Sequence, residues 1–127
     1  MTARVQNNGL ANITNALVTA SVMKYLQWGT GSAAAATANT VTTTSTTEAR
    51  TAGTMSQVTT TVTNDTLQVT GTITAAAARA ITEVGVFDAS GSGSPPTGGN
   101  MDVYGDFAVV NLNSGDSIAF TVQVKFQ

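Results

Sequence analysis

Apolar and polar residues alternate near the end of the chain. Every second position of the stretch 116–126 is apolar, namely Ile118, Phe120, Val122, Val124 and Phe126. A period of two is typical of a β-strand with one face in the core and the other in solvent. A register slip of one residue would expose both phenylalanines, so we expect the pairing of this strand to be well determined.

A second stretch, residues 81–88, is apolar on both faces, whereas the stretch 116–126 is apolar on one face only. One face carries two valines, and the other carries large apolar side chains beside a carboxylate, namely Ile81, Phe87 and Glu83. Strands that are covered on both sides have this composition. We therefore predict that this stretch is the central strand of the fold.

Residues 48–74 alternate in the same way on both sides of Asn64 and Asp65. Asn and Asp tolerate the positive φ angles that tight hairpin turns need, so the pattern predicts a β-hairpin with this pair at its tip. Short strands are also expected at 23–28 and 102–110, separated by a long surface connection at 32–47 and a Gly- and Pro-rich loop at 89–100. Six or seven short strands without βαβ alternation predict an all-β fold, an antiparallel β-sandwich or a jelly-roll-like barrel.

The first 22 residues follow a different period. Leu10, Ile13 and Leu17 recur at helical spacing, which is consistent with a short amphipathic helix or with a docking arm. Either structure must bury the apolar stripe against another surface. We therefore divide the chain into an N-terminal arm, residues 1–22, and a β domain, residues 23–127. The stripe and Trp28, the single tryptophan, are the candidate interface residues, and a place in the core is the other interpretation of Trp28.

The composition of the 127-residue chain favours association with other chains. Hydrophobic residues make up 42% of it, whereas charged residues make up only 9%, against roughly 25% in ordinary soluble domains. A protein with so few surface charges has low solubility when it is not bound to other chains. The net charge of −2 without a basic run excludes a typical nucleic-acid-binding surface. We also expect no signal peptide and no membrane span, because polar residues interrupt the apolar stretches near the start.

The charged residues form no recognisable catalytic pattern. The chain has neither histidine nor cysteine, so the usual zinc, haem and iron–sulfur ligands are missing, and we expect no cofactor. No spacing of the acidic residues selects a catalytic pair, so we expect no enzyme activity. Glu83 is predicted in the middle of a strand, on a face with Ile81 and Phe87, where an unpaired carboxylate would be costly. We predict that it forms a structural ion pair with Arg50 or Arg79.

Three segments of the β domain resemble small virion structural proteins of tailed bacteriophages. They are Ile-Thr-Glu-Val-Gly-Val-Phe-Asp-Ala at 81–89, Phe-Ala-Val-Val at 107–110 and Gly-Asp-Ser-Ile at 115–118. The stretch 25–31 and the Ala- and Thr-rich run to Glu48 are similar to the front half of the same pattern, so the resemblance covers residues 23–127. It implies no catalytic residue.

Within that group the chain is most similar to head decoration, or cement, proteins. The resemblance implies a homotrimer that binds the major capsid protein on the outside of the head, in the virion. A tail-fibre or collar receptor-binding domain is the alternative, although the sequence has no heptads or fibre repeats. A carbohydrate-binding module that uses Trp28, Tyr25 or Tyr104 as a platform is a third interpretation.

Overall fold

The computed structural model describes residues 1–32 and 46–127, so most of the connection predicted at 32–47 lies outside the described residues. Helix α1, Asn7–Ala20, precedes seven strands. These are β1 (Tyr25–Gly29), β2 (Thr51–Ala52), β3 (Thr54–Val58), β4 (Thr66–Thr74), β5 (Arg79–Phe87), β6 (Met101–Leu112) and β7 (Ser117–Lys125). All strand pairs are antiparallel, in one sheet of order β2-β1-β5-β6 and another of order β3-β4-β7. The all-β prediction is confirmed, in its sandwich form.

The core lies between the two sheets. Strands β1, β5 and β6 contribute Leu26, Trp28, Ile81, Val84, Val86 and Leu112, and strands β4 and β7 contribute Val69, Ile73 and Phe120. Strand β7 alternates between more exposed and more buried positions along its whole length, as the sequence predicted. The pattern of apolar residues therefore determines which face of each strand is buried.

Strand β5 is covered on both faces, which confirms the prediction of a central strand. It pairs with β1 on one side and with β6 on the other, and its residues from Glu83 to Phe87 are all buried. Its register with β6 shifts between Ile81 and Glu83. Simple alternation placed Ile81 on the face of Glu83, but the shift turns Ile81 into the core with Val84 and Val86.

The hairpin of β3 and β4 is also confirmed, with a longer loop than the sequence suggested. The strands meet at Val58 and Thr66, so residues 59–65 form the loop, and Asn64 has a φ of 58°. The fully buried Asp65 organises this loop, because its carboxylate accepts hydrogen bonds from the backbone N–H groups of Thr60, Thr61 and Val62, at 3.0, 3.1 and 3.0 Å.

These hydrogen bonds decide the protonation of Asp65. Burial by itself would raise the pKa of the carboxyl group, but the backbone N–H donors and the hydroxyls of Thr66 and Thr60 hold the pKa well below its usual range. The backbone carbonyl of Asp65 also accepts a hydrogen bond from the N–H of Phe126, at 2.9 Å. The loop therefore joins the hairpin to the segment that follows β7.

Helix α1 packs on β3 and β4 of its own chain, and of the two predicted forms of the N-terminal segment the structure shows the helix. The buried hydroxyl of Thr14 donates to the carbonyl of Asn64, at 2.6 Å, and the amide of Gln57 donates to the carbonyl of Ala11, at 2.8 Å. Ser21 ends the helix in a left-handed conformation and donates its N–H to the carbonyl of Leu17. Polar bonds as well as the apolar stripe thus fix the helix to the hairpin.

We expect the loss of the Asp65 carboxylate to lower the melting temperature clearly, because three backbone N–H groups would lose their acceptor. Asp65→Ala should lower it more than Asp65→Asn, which keeps one oxygen acceptor. Asp106→Ala, at an exposed position of β6, is the matched control and should change it little. Thermal unfolding followed by circular dichroism measures all three, and an unchanged transition in Asp65→Ala would show that the loop does not depend on the carboxylate.

Candidate functional site

Glu83 is fully buried, and its carboxylate accepts hydrogen bonds from uncharged donors. The hydroxyl of Tyr104 donates to its Oε2 at 2.8 Å, and the backbone N–H of Gly31 lies 3.3 Å from its Oε1. A side chain at Gly29, its neighbour on β1, would collide with the carboxyl group, so the glycine makes room for it. These contacts join β5 to β6 and to the residues that follow β1.

The predicted ion pair between Glu83 and Arg50 or Arg79 is wrong. Arg79 instead lies 3.2 Å from Glu48, which forms the ion pair. Arg50 stacks on the ring of Phe87, with its guanidinium carbon 3.6 Å from the ring centre. Tyr104, on the adjacent strand β6, donates to Glu83 instead of an arginine. Both arginines bind partners elsewhere in the fold.

Arg50 holds the loop 89–100 against the outer face of β5. Its Nη1 donates to the carbonyls of Ala89 and Gly98, at 2.9 and 2.8 Å, and its Nε donates to the amide oxygen of Gln27, at 2.8 Å. Gln27 in turn lies 3.3 Å from the carbonyl of Pro96. Burial lowers the pKa of Arg50, although the nearby charge of Asp88 opposes this shift. The loop is therefore the second cover of the central strand.

Trp28 belongs to the core, which is one of the two positions that the sequence predicts for it, and it is not part of an exposed interface. Its side chain is 1% exposed, and its ring lies edge-on to that of Phe120, with 6.4 Å between centres. The indole N–H donates to the hydroxyl of Thr46, at 2.6 Å, and lies 3.4 Å from Glu48. The tryptophan anchors the chain segment that enters β2.

Glu48 is the acceptor at the centre of that segment. Burial would raise the pKa of Glu48, but hydrogen bonds from the side chain of Thr46, from the backbone N–H of Ala76 and from Trp28 lower it from 4.5 to about 2. Arg79 adds its ion pair to the same carboxylate. This arrangement is structural, because the surrounding donors and Arg79 hold Glu48 as an acceptor that joins Trp28, Ala76 and Arg79.

The predicted interface stripe on α1 is covered, at least in part, by the chain itself. Leu10 is buried, whereas Ile13 and Leu17 are half-buried. The apolar face of the helix therefore contributes first to the fold, against β3 and β4.

A larger apolar surface lies at the other side of the sandwich. Among residues 1–32 and 46–127, strand β6 pairs only with β5 and β7 pairs only with β4, so each has one edge that no described strand pairs with. We call residues 107–110 of β6 the apolar edge, because it includes the exposed Phe107, Val109 and Val110, at 36, 54 and 38% exposure. The ring of Phe107 lies 6.1 Å from that of Phe120 on β7, so the edge closes the side of the core.

The apolar edge is not among the interface residues predicted from the sequence. The signal was present in the run Phe-Ala-Val-Val, which is apolar without the alternation of a half-exposed strand. Such a run predicts a buried strand, whereas β6 is at the border of its sheet. The sequence pattern therefore shows that this run is apolar, but it does not show whether the strand lies inside the sheet or at its edge.

The described residues contain few other features that could bind a ligand. A cleft of about 360 Å³ lies between the N-terminal segment, the hairpin loop and the last residues, lined among others by Arg4, Leu10, Val62, Lys125 and Phe126. Within 1–32 and 46–127, no group of three or more acidic residues is placed to hold a metal ion. None of the helices in these ranges has the length and apolar character needed to cross a membrane.

Loss of the Tyr104 hydroxyl should weaken the fold. Tyr104→Phe removes a donor to the buried Glu83, and we expect a loss of about 1–3 kcal/mol in the free energy of unfolding. Tyr25→Phe is the control on β1 and should change the free energy by less than about 0.5 kcal/mol. Urea unfolding gives both values, and equal values for the two variants would contradict the structural importance of this hydrogen bond.

The contribution of Glu48 should depend on pH. Because its pKa in the folded state, about 2, lies below its ordinary value of 4.5, its charged form stabilises the fold. That contribution is complete above pH 4.5 and disappears as the pH falls towards 2. The stability difference between the natural chain and Glu48→Gln should therefore shrink between pH 5 and pH 2, as measured by urea unfolding. A constant difference would show that ionisation of Glu48 does not matter.

Comparisons with known proteins identify no relative of the chain. No protein-family model, no curated protein and no solved structure matches it. We therefore infer its function from the contacts above and from the resemblance in the sequence.

Proposed function

We propose that this chain is a structural protein of a tailed-phage virion, and that it acts as a capsid decoration, or cement, protein. The observation that carries the proposal is the apolar edge, a surface of exposed apolar side chains on a domain with only 9% charged residues. Exposed apolar surface of this kind marks sites of protein association. The partner in this proposal is the major capsid protein, and the location is the outside of the head.

The resembling segments occupy connected parts of the fold. Residues 81–89 form most of the central strand, 107–110 form the apolar edge, and 115–118 lead into β7. The three segments thus lie on the central strand and on the two edge strands β6 and β7 that border the sandwich on one side. This combination of a central strand and an exposed strand edge supports a role in assembly, because strand edges can pair with other chains.

The outer face of the second sheet suits contact with a shell protein. Apart from Lys125 at one end of β7, its polar side chains are hydroxyls and amides, and several of these bond across the strands. The side-chain amide of Gln123 donates to the amide oxygen of Gln68 at 2.8 Å, and the hydroxyl oxygens of Thr74 and Ser117 lie 2.7 Å apart. Uncharged polar groups cost less to desolvate than charges, so such a face can hydrogen-bond to a partner without burying ions.

The proposed activity is association and not chemistry. A symmetric oligomer, for which the resemblance implies a trimer, would bind several shell subunits at once. Linked weak contacts raise the effective concentration of each binding site and give high avidity. Because separated subunits do not form the composite site, binding stabilises the assembled shell by mass action.

Contacts of the aromatic residues argue against the carbohydrate-binding alternative. Trp28 is buried in the core, and the hydroxyl of Tyr104 is bonded to Glu83. Trp28 is therefore not available as an open platform for a sugar, whereas Tyr25 and Tyr104 are half-buried. The tail-fibre or collar module is the competing proposal that the experiment below must separate from the decoration protein.

The protein should raise the temperature at which capsid shells lose their contents. We would heat shells of the phage that encodes this chain, stripped of it and then mixed with the purified protein, and follow genome release by dye fluorescence. The expected result is saturable binding and a higher release temperature. The control is the same mixture with protein that has been unfolded and kept in urea before dilution into the assay.

Shells that bind no added protein and release their genomes at an unchanged temperature would contradict the decoration function. Binding of the protein to host cells in a parallel sedimentation assay would then support the tail-fibre or collar alternative.

A further inference from the structure

The structure leaves one border of the sandwich open and protects the other. At the protected border, β2 has only two residues, and β3 lies against helix α1, whose Ala11 accepts a hydrogen bond from Gln57. At the open border, β6 and β7 are among the longest strands, and neither has a partner on its outer side within the described residues. Short edges and covered edges are the usual protections against unwanted pairing, so their absence on one side is informative.

The open border also lacks charge where it is most apolar. Residues 107–115 contain no charged side chain, and the flanking charges are those of Asp106 and Asp116. Monomeric proteins commonly place lysine or proline on an exposed edge strand, but β6 contains neither. The exposed side chains of Phe107 and Val109 are instead apolar, next to the buried Phe120. Solvent contact is therefore unfavourable along this part of β6.

We propose that the apolar edge is the surface by which copies of this chain bind one another. A second copy fits for two reasons. It presents the same uncharged span, so that residues 107–112 of two copies can meet without bringing Asp106 of one copy against Asp116 of the other. It also presents an unpaired strand edge, which can offer backbone N–H and C=O groups to those of β6.

A partner with a charged edge would have to bury ions against Phe107 and Val109 without opposite charges to pair with them. The inference therefore places the apolar edge near the symmetry axis of a closed homo-oligomer, because each copy supplies the same border to the contact. It rests on the self-association in the proposed function and adds the residues that carry it.

The test compares Val109→Lys with Val22→Lys. Both valines are exposed, at 54 and 44%, but Val22 follows helix α1 and lies outside the apolar edge. Sedimentation equilibrium at micromolar concentrations should show an oligomer for the natural chain and for Val22→Lys. For Val109→Lys the dissociation constant should rise at least about tenfold, since a lysine would be buried without a partner. Val109→Thr, which keeps the branched shape, should have a smaller effect in the same direction.

Cross-linking gives an independent readout. Because the natural chain has no cysteine, a single introduced cysteine is the only thiol available. Val109→Cys should give covalent dimers with a short bismaleimide, whereas Val22→Cys should remain monomeric on a denaturing gel. Circular dichroism of each variant verifies that the fold is retained.

If Val109→Lys forms an oligomer of the same mass as the natural chain, and Val109→Cys gives no cross-linked dimer, the apolar edge is not the contact surface. Self-association itself would then still stand. A natural chain that is monomeric at these concentrations would overturn the proposal altogether. Shell stabilisation is measured separately and tests the decoration function by itself. If the chain is a monomer but still raises the release temperature, the decoration function stands. If the chain forms an oligomer through the apolar edge but does not bind shells, the decoration function is contradicted.

Discussion

The structure depends on covering both faces of strand β5. One face packs against the second sheet through ordinary apolar contacts, with Val84 and Val86 in the core. The other face, with Phe87 and the buried Glu83, has no third sheet above it and needs a different cover. The described cover includes Arg50, which stacks on Phe87 and binds the carbonyls of the loop 89–100. A loop rich in glycine and proline thereby becomes part of the folded body.

Residue patterns predicted the parts of the fold that depend on burial alone. The alternation of β7, the two-sided burial of β5 and the hairpin around Asn64 all follow from which side chains must avoid water. The same reasoning failed for Ile81, because a register shift turned it to the other face. Such a shift depends on how the neighbouring strand pairs, which the local sequence does not specify.

Polar partners were harder to predict than apolar ones. Glu83 was expected to need a guanidinium group, but a phenol hydroxyl on the adjacent strand satisfies it. Arg50 has no charged side chain as a hydrogen-bond partner, and its contacts come from segments far apart in the sequence. Trp28 and the apolar edge show a related difficulty. Sequence gives the hydrophobic character of a residue, whereas strand order decides whether it lies inside the sheet or at its border.

The binding of Arg50 to neutral groups has a consequence for ionic strength. Dissolved salt screens the attraction between charges at a surface, but it has little effect on hydrogen bonds from a buried guanidinium group to backbone carbonyls. The loop 89–100 is held mainly by bonds of the second type. With a single ion pair among the described residues, that of Arg79 and Glu48, little of the fold depends on attraction between opposite charges. The folded domain is therefore suited to media whose salt content varies widely.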